Sequence, residues 1–235
     1  MLKLENVSAR IDNVEVLRSI SVDLPAGSIV AVVGRNGAGK TTLLRAVMGL
    51  LRLEEGDISF DGQSLSRVKA HERVLLGIGY APQERVMFPS MTVEENLRFP
   101  CQIARYSKAQ INERLKLTLE IVPQLEALLP RSGAALSGGQ GKMAALGRAL
   151  MVGSNLVLLD EPFQGLAPAL AAQYSDALQR LHQKMPDLSI VITESNAGLL
   201  KDIPDMVMYI ERGALLPEPA TASESTNQSA VGAQL

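Results

Sequence analysis

The stretch Gly34-Arg35-Asn36-Gly37-Ala38-Gly39-Lys40-Thr41 sets three glycines, a lysine and a hydroxyl side by side. Handling a phosphate chain needs that set. Glycines let backbone N–H groups turn inward around phosphate oxygens, and a helix starting at the loop's end adds its positive dipole. Lys40 then supplies a point charge for the β- and γ-phosphates, and Thr41 offers a hydroxyl to Mg2+. Thr42, next in line, joins the nucleotide contacts. Farther on, Leu156-Val157-Leu158-Leu159 runs straight into Asp160-Glu161-Pro162. An apolar strand ending on two carboxylates suits metal-assisted hydrolysis. Asp160 can hold Mg2+ through water, while Glu161, pointing elsewhere, is placed to polarise an attacking water. Between the two motifs lies Leu136-Ser137-Gly138-Gly139-Gln140, where a serine and two glycines open a helix, a second anion-binding arrangement. Alone it would be an N-cap and nothing more. Its place between the other two makes it specific.

Residues spread this far apart need a framework that alternates strands and helices. Ser28 to Val33 reads as a buried strand feeding the glycine loop, and Leu43 to Leu51 as the helix leaving it. Asp57 to Phe60, closed by Asp61-Gly62, reads as a strand, as do Ile78 to Tyr80, Leu156 to Leu159, Ser189 to Thr193 and Met206 to Ile210. Pro168 to Lys184 reads as a helix. From about Glu84 to Leu150 amphipathic stretches replace β-branched runs. There Ile111, Leu115, Leu119 and Val122 recur at helical spacing until Pro123 breaks the pattern. The expectation is an α/β domain over residues 1–216 with a helical block at about 84–150 inserted in its core. Residues 217–235 are rich in Ser, Thr, Ala and Pro, lack aromatics, and read as a disordered tail.

Composition narrows the class. With 235 residues the chain can bury a substantial core without a disulfide or metal staple. Lys plus Arg number 23 against 25 acids, a net charge of −2, so there is no global basic field for gripping nucleic acid. The single cysteine, Cys101, suits a reducing compartment. The start lacks a secretion signal, and no run approaches the roughly 20 apolar residues of a membrane span. A cytoplasmic setting is expected.

The loop at 34–41, the motif at 136–140 and the Asp160-Glu161 pair, in that order, resemble the ATPase subunit of an ABC transporter. The resemblance implies a P-loop NTPase of the ABC ATPase type: a mixed sheet core, an antiparallel β subdomain and an inserted helical subdomain. Tyr80-Ala81-Pro82-Gln83 resembles the family's Q-loop, where Gln83 would reach Mg2+ and couple the site to a membrane partner. Gly165-Leu166-Ala167-Pro168 occupies the D-loop position. Phe88-Pro89-Ser90-Met91-Thr92-Val93-Glu94-Glu95-Asn96-Leu97 and the run from Asp160 to Pro168 resemble the branched-chain amino-acid uptake group and its urea and amide relatives. The implied cofactors are ATP and Mg2+. The implied partners are a sister ATPase, two membrane permeases and, indirectly, a solute-binding protein, with the chain at the cytoplasmic face of the membrane. In the head-to-tail pair that the family forms, Ser137, Gly138, Gly139 and Gln140 would serve the partner's ATP. The alternative is a soluble ABC-type ATPase acting on nucleic acid or ribosomes. The short span from Lys40 to Leu136 leaves no room for the long coiled coils of the repair enzymes.

Two positions depart from the family pattern. Ser195, in Ile192-Thr193-Glu194-Ser195-Asn196, stands where many relatives carry a switch histidine. Serine is shorter and would reach a γ-phosphate through a bridging water. Ile11 aligns with the aromatic residue that usually stacks on adenine, and no aromatic residue precedes Phe60. Ile11 offers apolar contact and Arg10 a guanidinium plane, but ring stacking worth about 1 kcal/mol is missing.

Overall fold

A computed structural model describes residues 1–84, 87–200 and 203–216. The tail expected to be disordered lies outside the described residues.

The central sheet is built from runs that are apolar on both faces. Strands β3 (Ile29–Val33), β6 (Ile78–Ala81), β7 (Leu156–Asp160), β8 (Ser189–Glu194) and β9 (Met206–Glu211) are parallel in the order β9-β3-β8-β7-β6. The short β10 (Ala214–Leu215) adds antiparallel to β9. Alternation along each strand divides its side chains between two cores. Ile29, Ala31, Val33, Val157, Leu159, Ile190 and Ile192 face one core, and Val30, Val32, Leu156, Leu158 and Val191 the other. A parallel sheet covered on both faces has to read as an unbroken apolar run.

The second core is closed by helix α1 (Lys40–Val47) and by an antiparallel sheet of β1 (Leu2–Ile11), β2 (Val14–Leu24), β4 (Glu55–Phe60) and β5 (Gln63–Ser64), in the order β2-β1-β4-β5. Two-residue turns join its hairpins. Asp12 and Asn13 (φ 48° and 65°) link β1 to β2, and Asp61 and Gly62 (φ 48° and 78°) link β4 to β5. Positive φ at both central residues matches the twist of antiparallel strands. The first core lies under α2 (Val93–Ile103), α3 (Lys108–Ile121), α4 (Gly138–Val152) and α5 (Pro168–Lys184). No strand occurs among the described residues of 84–150. Helix α4 belongs to both neighbourhoods, packing on α2 and α3 and also beneath β6 and β7. At Gly79 in β6 a Cβ would lie 2.2 Å from the carbonyl oxygen of Ala149, so only glycine permits that approach.

Two expectations shift. Helix α1 runs from Lys40 to Val47 rather than over 43–51, because Gly49 turns left-handed (φ 68°) and the buried Arg73 guanidinium takes the carbonyls of Ala46 and Val47. Lys40 and Thr41 therefore sit in its first turn. In α3 the buried stripe is Ile111, Leu115, Thr118 and Ile121, with Leu119 only half-buried.

Candidate nucleotide site

The glycine loop bridges the C-terminal end of β3 and the start of α1. Gly34 leaves the sheet donating its N–H to the Glu194 carbonyl at 3.1 Å, with Ile210 pressed so close that a Cβ would fall 2.3 Å from its carbonyl oxygen. Gly37 (φ 80°) and Gly39 (φ 112°) adopt backbone that a side chain would strain, and Gly39 caps α1 without a side-chain hydrogen bond. The first-turn amides of α1 are thus left to an anion. The buried Lys40 ammonium points back over the loop. It donates to the Gly34 and Arg35 carbonyls at 2.7 and 3.1 Å and pairs with Glu161 Oε1 at 2.9 Å. All three N–H donors are engaged, so an incoming phosphate oxygen must take over one of those places.

The two carboxylates at the end of β7 do separate work. Asp160 Oδ1 accepts from Thr41 Oγ1 at 3.1 Å and from Thr193 Oγ1 at 2.7 Å, while Oδ2 is buried and has no hydrogen-bond partner among the described residues. Glu161 turns the other way because its backbone is left-handed (φ 45°). Its N–H donates to the carbonyl and hydroxyl of Thr193, both at 3.1 Å, and its carbonyl accepts from Lys142 Nζ. Its carboxylate lies between Lys40 and Gln83, whose amide donates to Glu161 Oε2 at 3.4 Å and to Gln164 Oε1 at 2.7 Å. Beneath this turn the buried Glu194 accepts from the Phe163 amide at 2.8 Å. Burial pushes its carboxyl up to about 7; the charge of Glu161 adds to the rise and the Phe163 bond opposes it.

A cavity of about 480 Å³ opens above these groups. Asn36, Gly37, Gly39, Lys40, Thr41 and Thr42 form one wall, with Val16, Gln83 and Glu161 facing them. Residues 17–164 match the family model described as ABC transporter. The chain belongs to the ABC transporter family. The probable branched-chain amino acid transport ATP-binding protein LivF of Archaeoglobus fulgidus is 34% identical over 215 residues, 91% of this chain and 89% of that protein. A sulfate/thiosulfate import ATP-binding protein of Agrobacterium fabrum is 32% identical over 234 residues, 98% of this chain and 67% of that protein. The crystal structure of an ABC transporter's ATP-binding cassette in its ADP conformation superposes with a TM-score of 0.78 at 27% identity, covering 92% of this chain and 89% of the other. The fold is that of an ABC ATPase, as the motifs imply, and the chain is an ATP-binding, ATP-hydrolysing member of the family.

This ABC ATPase gathers some of the expected residues and leaves others apart. Lys40, Thr41, Thr42, Gln83, Asp160 and Glu161 meet at one end of β3, β6 and β7. Ser137, Gly138, Gly139 and Gln140 do not line the cavity. They open α4, where Ser137 and Gln140 form a reciprocal capping box: the Ser137 N–H donates to Gln140 Oε1 at 3.0 Å and the Gln140 N–H to Ser137 Oγ at 3.4 Å. Ser195 is exposed beyond β8 and does not line the cavity either. The two residues expected at the adenine do not line the cavity. The Asp12-Asn13 turn carries Ile11 to the exposed end of the hairpin, and Arg10 pairs with Glu54 at 3.0 Å. Val16, five residues on, lines the cavity. The sequence reading also missed Thr193, Gln164, Lys142 and Glu194, which reach the site through strand pairing and chain turns that no local motif announces.

Proposed function

We propose that this ABC ATPase drives an importer for branched-chain amino acids or related small polar solutes, seated on the cytoplasmic face of the membrane against two permease subunits and paired with a sister ATPase. No described helix is long and apolar enough to cross a membrane, which fits attachment through partners. The LivF and sulfate/thiosulfate relatives differ by only two points of identity, so overall similarity does not choose the cargo. The weight falls on the runs Phe88–Leu97 and Asp160–Pro168 and their resemblance to the branched-chain group.

The observation that carries the hydrolytic reading is the buried cluster of Lys40, Thr41, Asp160 and Glu161 under the cavity. Mg2+ fits there. A buried carboxylate oxygen of Asp160 has no hydrogen-bond partner among the described residues, and the adjacent Thr41 hydroxyl gives its hydrogen to the other oxygen, keeping lone pairs for a hard cation. Thr41, Asp160 and Gln83 would hold the ion, which when bound offsets charge on the phosphates. Lys40 and the loop amides bind the triphosphate, with Gly37 and Gly39 allowing close approach. Glu161, released from Lys40 as phosphate takes its place, orients and deprotonates water. The signature residues complete the site of the facing subunit, and Ser195 approaches the γ-phosphate through water.

The experiment is uptake by proteoliposomes holding the ATPase pair, the permeases and the solute-binding protein. Labelled leucine should accumulate with ATP, and labelled sulfate should not. Sulfate uptake without leucine uptake would reject the cargo, and ATPase activity unmoved by permeases would reject the coupling.

A further inference from the structure

We propose that Thr193 is a positioning residue whose single hydroxyl sets both carboxylates at the end of β7, orienting Asp160 for the metal and Glu161 for water. Thr193 is fully buried and lies in register beside Asp160 across the β7–β8 pair. It lines no part of the cavity, so it acts through its neighbours. A hydroxyl has one hydrogen and two lone pairs, and Thr193 uses both kinds. It donates to Asp160 Oδ1 at 2.7 Å and accepts the Glu161 N–H at 3.1 Å.

The consequence for Asp160 is a choice between its two oxygens. Thr193 and Thr41 both donate to Oδ1, which fixes the carboxylate's rotation and leaves Oδ2 buried without a partner among the described residues. An unpaired buried carboxylate oxygen is costly unless a cation or bound water meets it. The consequence for Glu161 is a pinned backbone. Its left-handed conformation is strained for a residue with a side chain, and the Thr193 carbonyl and hydroxyl hold the N–H at that point. That turn directs the carboxylate to Lys40 instead of along the strand. Local sequence adds its own sign. Ile190-Val191-Ile192 is an apolar buried strand, and valine would match the shape of the equally buried Thr193 that follows, so what the hydroxyl adds is its hydrogen bonds.

The inference rests on the Mg2+ site proposed above, and the experiment separates the two. ATP is titrated against the full chain in EDTA and in Mg2+, and Mn2+ binding to the ATP complex is followed by electron paramagnetic resonance. The variants are Thr193→Val, which keeps the shape, and Thr193→Ser, which keeps the hydroxyl. ATP affinity in EDTA should stay within about twofold, while Mn2+ affinity should fall about tenfold in the Val variant and match the parent in the Ser variant, as for other outer-shell partners of metal ligands. If Thr193→Val does not fold, the pair Thr193→Ala and Thr193→Ser makes the same hydroxyl comparison. Parent-like Mn2+ binding in the variant lacking the hydroxyl would overturn the inference. So would equal loss in the Ser variant, which would assign the effect to packing. A parent whose ATP binding gains nothing from metal would instead overturn the Mg2+ reading itself.

Discussion

At the scale of single residues, the Lys40–Glu161 ion pair would tie nucleotide entry to catalysis. Glu161→Gln removes the group proposed to deprotonate water and also the anion that holds Lys40. ATP should therefore bind at least as tightly as to the parent, while turnover in the assembled complex drops by about 10²–10⁴-fold, the range for losing a general base. Residual hydrolysis near the parent rate would remove Glu161 from that role. Glu194 predicts a pH dependence of stability. Its carboxyl titrates at about 7 in the fold against 4.5 unfolded, so the native state holds a proton that the unfolded chain has released. Its contribution is fully present below pH 4.5 and is lost as pH rises through 7. Glu161, Lys142, Tyr174 and the amides of Phe163 and Ser195 surround it. Glu194→Gln keeps an acceptor for the Phe163 amide without the charge. The variant should gain on the parent between pH 5 and pH 8 by on the order of 3 kcal/mol in urea unfolding. A gap between the two that stays constant with pH would contradict this. Lys40, Thr41, Asp160 and Glu161 were legible in sequence because a loop or strand end fixes their spacing locally. Thr193 and Glu194 were not, since they meet residues 160–163 only after β8 pairs with β7.

At the scale of elements, the legible strands were those buried on both faces, where continuous apolar runs such as Ile29–Val33 leave little choice. The β1–β2 hairpin went unread as strands because charged and polar residues interrupt both, register shifts break the alternation, and the Asp12-Asn13 turn lacks the glycine that usually marks one. That hairpin decides which of its residues reaches the cavity. Its register pairs Arg10 with Glu15 and Ala9 with Leu17, placing Val16 on the loop side, with its carbonyl close enough that a Cβ on Gly39 would lie 3.1 Å away. Ile11→Tyr should then leave ATP affinity within about twofold, because a ring at an exposed hairpin end has no base to cover. Val16→Ala should weaken ATP by about fivefold, near 1 kcal/mol for the apolar contact removed. Titration of both variants with ATP and GTP checks this. A tightened Ile11→Tyr variant would return the base to the hairpin tip.

At the scale of the whole molecule, one chain displays two anion-binding helix starts that do not meet. The glycine loop lines the cavity, whereas Ser137 and the start of α4 do not, and Ser137 is exposed. Its capping box with Gln140 satisfies the serine N–H and one helical amide, leaving the Gly138 and Gly139 amides for an anion from outside the chain. The proposed head-to-tail pairing would set that surface against a second subunit's nucleotide. Two crippled variants test this against the sister subunit. Lys40→Ala loses the loop's charge but keeps its signature, and Ser137→Arg blocks the signature but keeps its loop. Paired with the sister, each should keep one of the two sites and about half of the parent pair's rate, while the double variant should be nearly inert. The parent alone should be a poor ATPase, and adding the sister should raise its turnover. A parent fully active alone, at a specific activity independent of concentration, would show that one chain completes its own site.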